Sequence, residues 1–94
     1  MNALISKGKV DGKPIIRAWE SFSGWYWLAT EKAYKQDSLI DGKEYKDDQI
    51  WFGLVIGQYT EWGYFSQKEI ELLSPRTWEI KKCDLEILSL SRDQ

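Results

Sequence analysis

The sequence predicts an α+β domain: a small, strongly twisted antiparallel sheet of five or six strands, with one short helix at about residues 67–73. Three observations carry that expectation. β-prone runs recur between turn dipeptides at Asp11-Gly12, Asp41-Gly42 and Gly57-Gln58. Ser66 followed by Glu69 is a capping box placed directly after a strand-like run, so a helix starts there. Six Trp, five Tyr and three Phe in 94 residues supply enough apolar area to close a core without a disulfide or a metal. The length accommodates one domain, residues 1–94.

The elements follow in order. Residues 4–20, "LISKGKVDGKPIIRAWE", read as an opening hairpin about Asp11-Gly12, a dipeptide that accepts the positive φ angles of a type I′ turn. A strand runs from about Gly24 to Thr30, with Trp25, Trp27 and Ala29 on one face and Tyr26, Leu28 and Thr30 on the other. Residues 31–49 hold six acids and four lysines, and read as a polar, mobile connection with at most a short hairpin at Asp41-Gly42.

"IWFGLVIGQYTEWGYFS" is a hairpin turning at Gly57-Gln58. Pairing Ile56 with Tyr59 or with Glu61 gives the same faces, since both registers preserve parity. One face then holds Ile50, Phe52, Leu54, Ile56, Gly63 and Phe65, and the other holds Trp51, Val55, Trp62 and Tyr64. In the tighter register Phe52 covers Gly63 and Trp62 covers Gly53. The helix stops before Pro75, and its Ile70 and Leu73 pack with Phe65 on the Ile50/Phe52/Leu54 face. Residues 78–90 close the chain as a strand bulged near Lys81-Lys82, with Cys83, Leu85 and Ile87 pointing inward.

The chemistry available is narrow. With no histidine, the usual general base, the Ser-His and Cys-His nucleophile pairs and imidazole ligation of zinc are all removed. Cys83 stands alone and reads as a buried, unreactive residue of a reducing compartment. No glycine-rich phosphate loop appears. The sequence therefore implies no enzyme, no cofactor and no metal. A net charge of −2 and the lack of a long apolar run point to a cytoplasmic chain, drawn neither to nucleic acid nor into a membrane.

"WYWLATE", "WFGLVIG" and "TEWGYFSQKEIELL", in that order, resemble a family of small uncharacterised bacterial proteins found on plasmids, integrative elements and phages. That family shows a W-x-L-T-E strand, an F-G-L-V strand and an E-x-G-Y-F-S-x-x-E junction, and the similarity spans residues 24–73. It is known only as a domain of unknown function, so the resemblance implies a strand order and a mobile-element setting, and no site residues. The charged segment 31–49 and the N-terminal hairpin depart from its pattern.

Function is expected on the sheet face that the helix leaves uncovered. Trp25, Trp51, Trp62 and Tyr64 are the candidate partner-binding residues of a non-enzymatic protein-interaction module, such as an accessory or host-modulating factor of a mobile element. A second copy of the chain is one candidate partner, giving a homodimer centred on those rings. Should the sheet curl into a barrel-like shape, the same rings become core. The alternative is a single-stranded nucleic-acid-binding protein that stacks bases on the aromatic face while Lys7, Lys9, Lys13 and Arg17 follow the backbone.

Overall fold

A computed structural model describes residues 2–88 and 90–93. Chain order runs β1 (Asn2–Ser6), β2 (Lys9–Val10), β3 (Lys13–Pro14), β4 (Arg17–Ser21), β5 (Tyr26–Ile40), β6 (Lys43–Ile56), β7 (Thr60–Ser66), α1 (Gln67–Glu71), β8 (Thr77–Glu79), α2 (Lys82–Ile87) and β9 (Leu90–Asp93). A four-stranded sheet has the order β3-β2-β1-β9, and a five-stranded sheet the order β7-β6-β5-β4-β8. The architecture is broadly α+β and mostly antiparallel strand, with two short helices among the described residues instead of one. Among the described residues neither sheet closes into a barrel.

Three tight turns set the hairpins. Lys7-Gly8, Asp11-Gly12 and Asp41-Gly42 each combine two positive φ angles, 56° and 73°, 48° and 85°, 51° and 79°, which is the type I′ pattern whose twist matches that of paired strands. The third turn overturns the reading of residues 31–49 as a polar connection. Ser38, Leu39 and Ile40 pair with Tyr45, Glu44 and Lys43, so the segment is the outer half of one long β5–β6 hairpin. Its charged side chains are those of a two-stranded arm reaching beyond the core, where a backbone ladder needs no apolar face.

The large sheet is covered on both sides. Ala18, Leu28, Leu54 and Ile56 pack against Ile5 and Val10 of the small sheet and Leu85 of α2. On the opposite side Trp19, Ala29 and Trp51 meet Ile70 of α1, with Trp27 and Phe65 alongside. The domain thus has three layers and two apolar cores.

The helix start is the one the sequence predicts: Ser66 caps α1, and its side chain accepts from the Glu69 amide at 3.0 Å. The face it covers is different. Ile56 pairs with Thr60 across a three-residue loop, Gly57 to Tyr59, instead of the two or four residues expected. That odd count turns every side chain of β7 over. Phe65 and α1 therefore sit on the Trp51 side, not on the Ile50/Phe52/Leu54 side. Gly53 faces Gly63 and not a ring, and its lack of a side chain is required because a Cβ there would collide with the Leu28 carbonyl.

The C-terminal segment corrects a second expectation. After β8 the chain forms α2, so Cys83 lies in a helical first turn and is exposed, and Ile87 is exposed too. Leu85 is buried and Leu88 packs beside it, a spacing of three that fits one helical face.

Candidate functional site

On the small-sheet side of the large sheet, the part that the small sheet does not cover carries a continuous row of rings. Register places Phe52 opposite Tyr64 and Leu54 opposite Trp62. The Phe52 and Trp62 rings stack at 6.1 Å with an interplanar angle of 20°, and Phe52 meets Tyr64 edge-on at 5.1 Å. Tyr34, carried in from the arm of β5, extends the row at 6.0 Å from Tyr64. At the other end Lys13 of β3 sets its Nζ 4.7 Å above the Trp62 ring, a cation–π contact. Tyr34 is 50% exposed and Tyr64 64%, so the row presents ring surface outward. It ends on β7, an edge strand with no partner on its outer side among the described residues.

Of the four rings proposed from sequence, the fold brings Trp62 and Tyr64 together and separates the other two. Trp51 is buried on the opposite side, 6.1 Å from Trp19, and its Nε1 donates to Gln67 Oε1 at 2.9 Å. It is core, and it ties α1 to the sheet. Trp25 is partly exposed near the β4–β5 turn, 5.9 Å from Trp27, where its ring covers Gly57. Phe22, Leu73 and Arg76 join those two rings around a shallow hollow of about 280 Å³.

The cations proposed from sequence also divide. Lys13 joins the aromatic row, whereas Lys7 sits exposed in the β1–β2 turn and Lys9 on the exposed side of the small sheet. Arg17 is on the other side of the large sheet, held by Glu79 through two bonds of 2.8 and 2.6 Å and lying over the Trp19 and Trp51 rings. That bond to Glu79 holds the guanidinium pKa above its ordinary value against partial desolvation.

Sequence reasoning did not select Phe52 or Tyr34. Phe52 was assigned to the helix-covered face by the wrong loop length, and Tyr34 was hidden in a segment read as unstructured. The Asp41-Gly42 turn dipeptide was the one available signal for the hairpin that carries Tyr34.

Fold and site together define a small, mostly antiparallel β domain whose feature is an open aromatic row on a sheet face, capped by one lysine. No group of three or more His, Cys, Asp or Glu among the described residues could hold a metal ion, and no helix there is long and apolar enough to cross a membrane. No family model matches the chain, and no curated protein or solved structure matches it either.

Proposed function

We propose that this chain is a non-enzymatic protein-interaction module whose contact surface is the row Tyr34, Tyr64, Phe52 and Trp62. One observation carries the reading: four rings in unbroken contact on one sheet face, two of them at least half exposed. Rigid aromatic side chains that are already packed against each other lose little rotamer freedom on binding, and such residues dominate the energetics of protein interfaces. A role as accessory factor of a mobile element rests on the motif resemblance alone.

The test is site-directed photocrosslinking from Tyr64 in the native host, with Leu39, exposed at the end of the arm, as the control position. A discrete adduct from position 64 that Trp62→Ser removes, and that position 39 does not give, is the expected result. An adduct with a second copy identifies a homodimer, which light scattering then checks. Equal adduct patterns from both positions refute the reading.

The placement of Lys13 on Trp62 favours a second reading, in which the row stacks the bases of a single-stranded nucleic acid and the lysines of the small sheet follow its backbone. Arg17 has no part in it. Against it stands Glu31, which register places opposite Phe52 on the same face. The two readings separate by salt: nucleic-acid binding falls steeply as salt rises, and binding by an aromatic protein interface does not.

A further inference from the structure

Among the described residues the outer side of β7 is the longest open edge of either sheet. β3 has two residues and ends on Pro14, β8 has three, and β9 carries Arg92 and Asp93, so each of these edges is short or charged. β7 has seven residues, with Glu61 as its one charge, no proline, and an unbroken register along β6. α1 does not cover this edge. It folds back across the sheet, where Trp51 Nε1 donates to Gln67 Oε1 at 2.9 Å and Thr77 Oγ1 of β8 donates to the Ile70 carbonyl at 2.7 Å. Sheets ordinarily protect long edges against pairing with another chain, by shortness, charge, proline or bulges, and β7 has none of these devices.

The register decides which backbone groups that edge offers. The Ile16 N–H donates to the Ala29 carbonyl at 2.7 Å, so Ala29 turns its backbone groups to the β4 side. Gly53, opposite Ala29, then turns its own to β7, where they meet those of Gly63. The Gly57 N–H, which donates to the Tyr59 carbonyl at 3.0 Å, starts the same alternation at the loop. Glu61, Gly63 and Phe65 therefore bond to β6, while Trp62 and Tyr64 direct their N–H and C=O groups to the open edge.

We infer that the partner of the aromatic row is a second copy of this chain, joined β7 to β7 in antiparallel register about a twofold axis at Gly63. The inference rests on the reading of the row as a contact surface and names what the row contacts. Gly63 is the midpoint of β7, so an axis there pairs every residue of the strand, whereas any other register leaves residues at its ends unpaired. Trp62 then lies opposite the partner's Tyr64, and both direct their backbone groups to the shared edge, so they form a hydrogen-bonded pair. Their rings project on the open face, where each copy adds its Tyr64 beside the other's Trp62 and the two rows become one. On the opposite face Glu61 lies against the partner's Phe65, so no like charges meet. At the axis Gly63 presents no side chain to its own copy. The strand is thus complementary to itself in backbone, rings and charge, as a twofold interface requires.

The experiment uses the full chain. Light scattering of the parent is expected to give twice the mass of one chain. Tyr64→Pro removes an N–H directed to the open edge and no bond to β6, so it is expected to be monomeric with the parent's circular dichroism. Gly63→Cys in a Cys83→Ser background reads the register itself. A residue on the axis sits about 4.5 Å from its copy, within reach of a disulfide, and nothing lies within 4 Å of the position a Cβ takes at Gly63. Mild oxidation should link this chain to its copy at least about tenfold faster than Glu61→Cys in the same background, whose two thiols lie four strand positions, about 14 Å, apart. The inference is overturned by a parent that is monomeric at millimolar concentration, by a dimeric Tyr64→Pro, or by equal linking of the two cysteines. Should Tyr64→Pro fail to fold, the comparison of the two cysteines decides. A monomeric parent that still crosslinks a different protein from position 64 overturns this inference and leaves the row as an interface. A dimer that links neither at Gly63→Cys nor through position 64 overturns both.

Discussion

The buried carboxylate of Asp48 joins the arm to the start of α1, and its removal is the most informative single perturbation of the fold. Asp48 is 3% exposed. Its Oδ2 accepts from the Ser38 hydroxyl at 2.7 Å and from the Ser66 hydroxyl, and its Oδ1 accepts from the Lys68 amide at 3.0 Å. The Lys68 N–H is one of the helix-start donors that α1 itself cannot satisfy.

Asp48→Ala leaves that amide and the buried Ser38 hydroxyl without an acceptor, each worth about 1–3 kcal/mol, while relieving part of the cost of burying a charge. The expected loss is about 3 kcal/mol, or about 12–24 °C in Tm for a domain of this size. Asp48→Asn keeps an oxygen for Lys68 and offers its amide to hydroxyls free to turn, so it should lose only about 1 kcal/mol. Ser66→Ala alone should cost about 0.5–2 kcal/mol through loss of the cap to Glu69. Combined with Asp48→Ala, it should show a coupling of about 1 kcal/mol, because the two side chains share a bond. Thermal and urea unfolding of the parent and these four variants measure all of this. If Asp48→Ala melts within about 4 °C of the parent, or if Asn costs as much as Ala, the donor count is the wrong account of this junction.

Three further outcomes are expected. Gly53→Ala forces a Cβ against the Leu28 carbonyl and should separate β5 from β6, abolishing cooperative melting, whereas Gly63→Ala meets nothing within 4 Å and should melt within about 0.5 kcal/mol of the parent. Cys83 is exposed on α2, so a thiol reagent should label the native protein stoichiometrically, at the rate of the unfolded chain to within about tenfold, and strong protection would place it back in the core. The Asp37 carboxyl accepts from the Asp47 amide at 3.1 Å, and that bond, with Lys46 beside it, holds its pKa below the ordinary aspartate range. A carboxyl lowered in the folded state stabilises above its unfolded pKa and loses that contribution as pH falls through the folded value. The Asp47 amide resonance should therefore shift only in that acid range, and a shift centred near neutral pH would contradict the bond.

What could be read from the sequence was local and carried by backbone chemistry. Asp11-Gly12 and Asp41-Gly42 are turns because their residues accept positive φ, and Ser66 is a cap because its hydroxyl reaches the third amide of the helix. Phe65 and Ile70 pack in one cluster, as a residue before a cap and one four places after it should. The features that were not legible depend on counts, not on types. In the final helix, Cys83, Leu85 and Ile87 alternate like a strand, while Leu85 and Leu88 repeat like a helix, and only the docking of Leu85 under the small sheet selects between them. The arm was invisible for a different reason: its buried residues, Ser38 and Asp48, are polar, so its strands show no apolar alternation, and three register shifts break what pattern there is.

The same arithmetic decided which rings became surface. With a loop of two or four residues after Ile56, Trp62 and Tyr64 would share a face with Trp51 and lie against Trp19, and Phe65 would point to the small sheet. With three residues, Trp51 and Phe65 enclose Ile70 and become core, while Trp62 and Tyr64 turn to the side where the small sheet ends short of them. The small sheet reaches only as far as Lys13, whose ammonium closes one end of the row over Trp62. Beyond that point Phe52, Tyr64 and Tyr34 have no layer above them among the described residues, although a sheet face this aromatic is ordinarily buried. The candidate interface is therefore the difference between the area of the large sheet and the area that its two covering layers reach. A substitution on β7 acts on the interface or on the core according to its parity: Trp62 and Tyr64 on one side, Phe65 on the other.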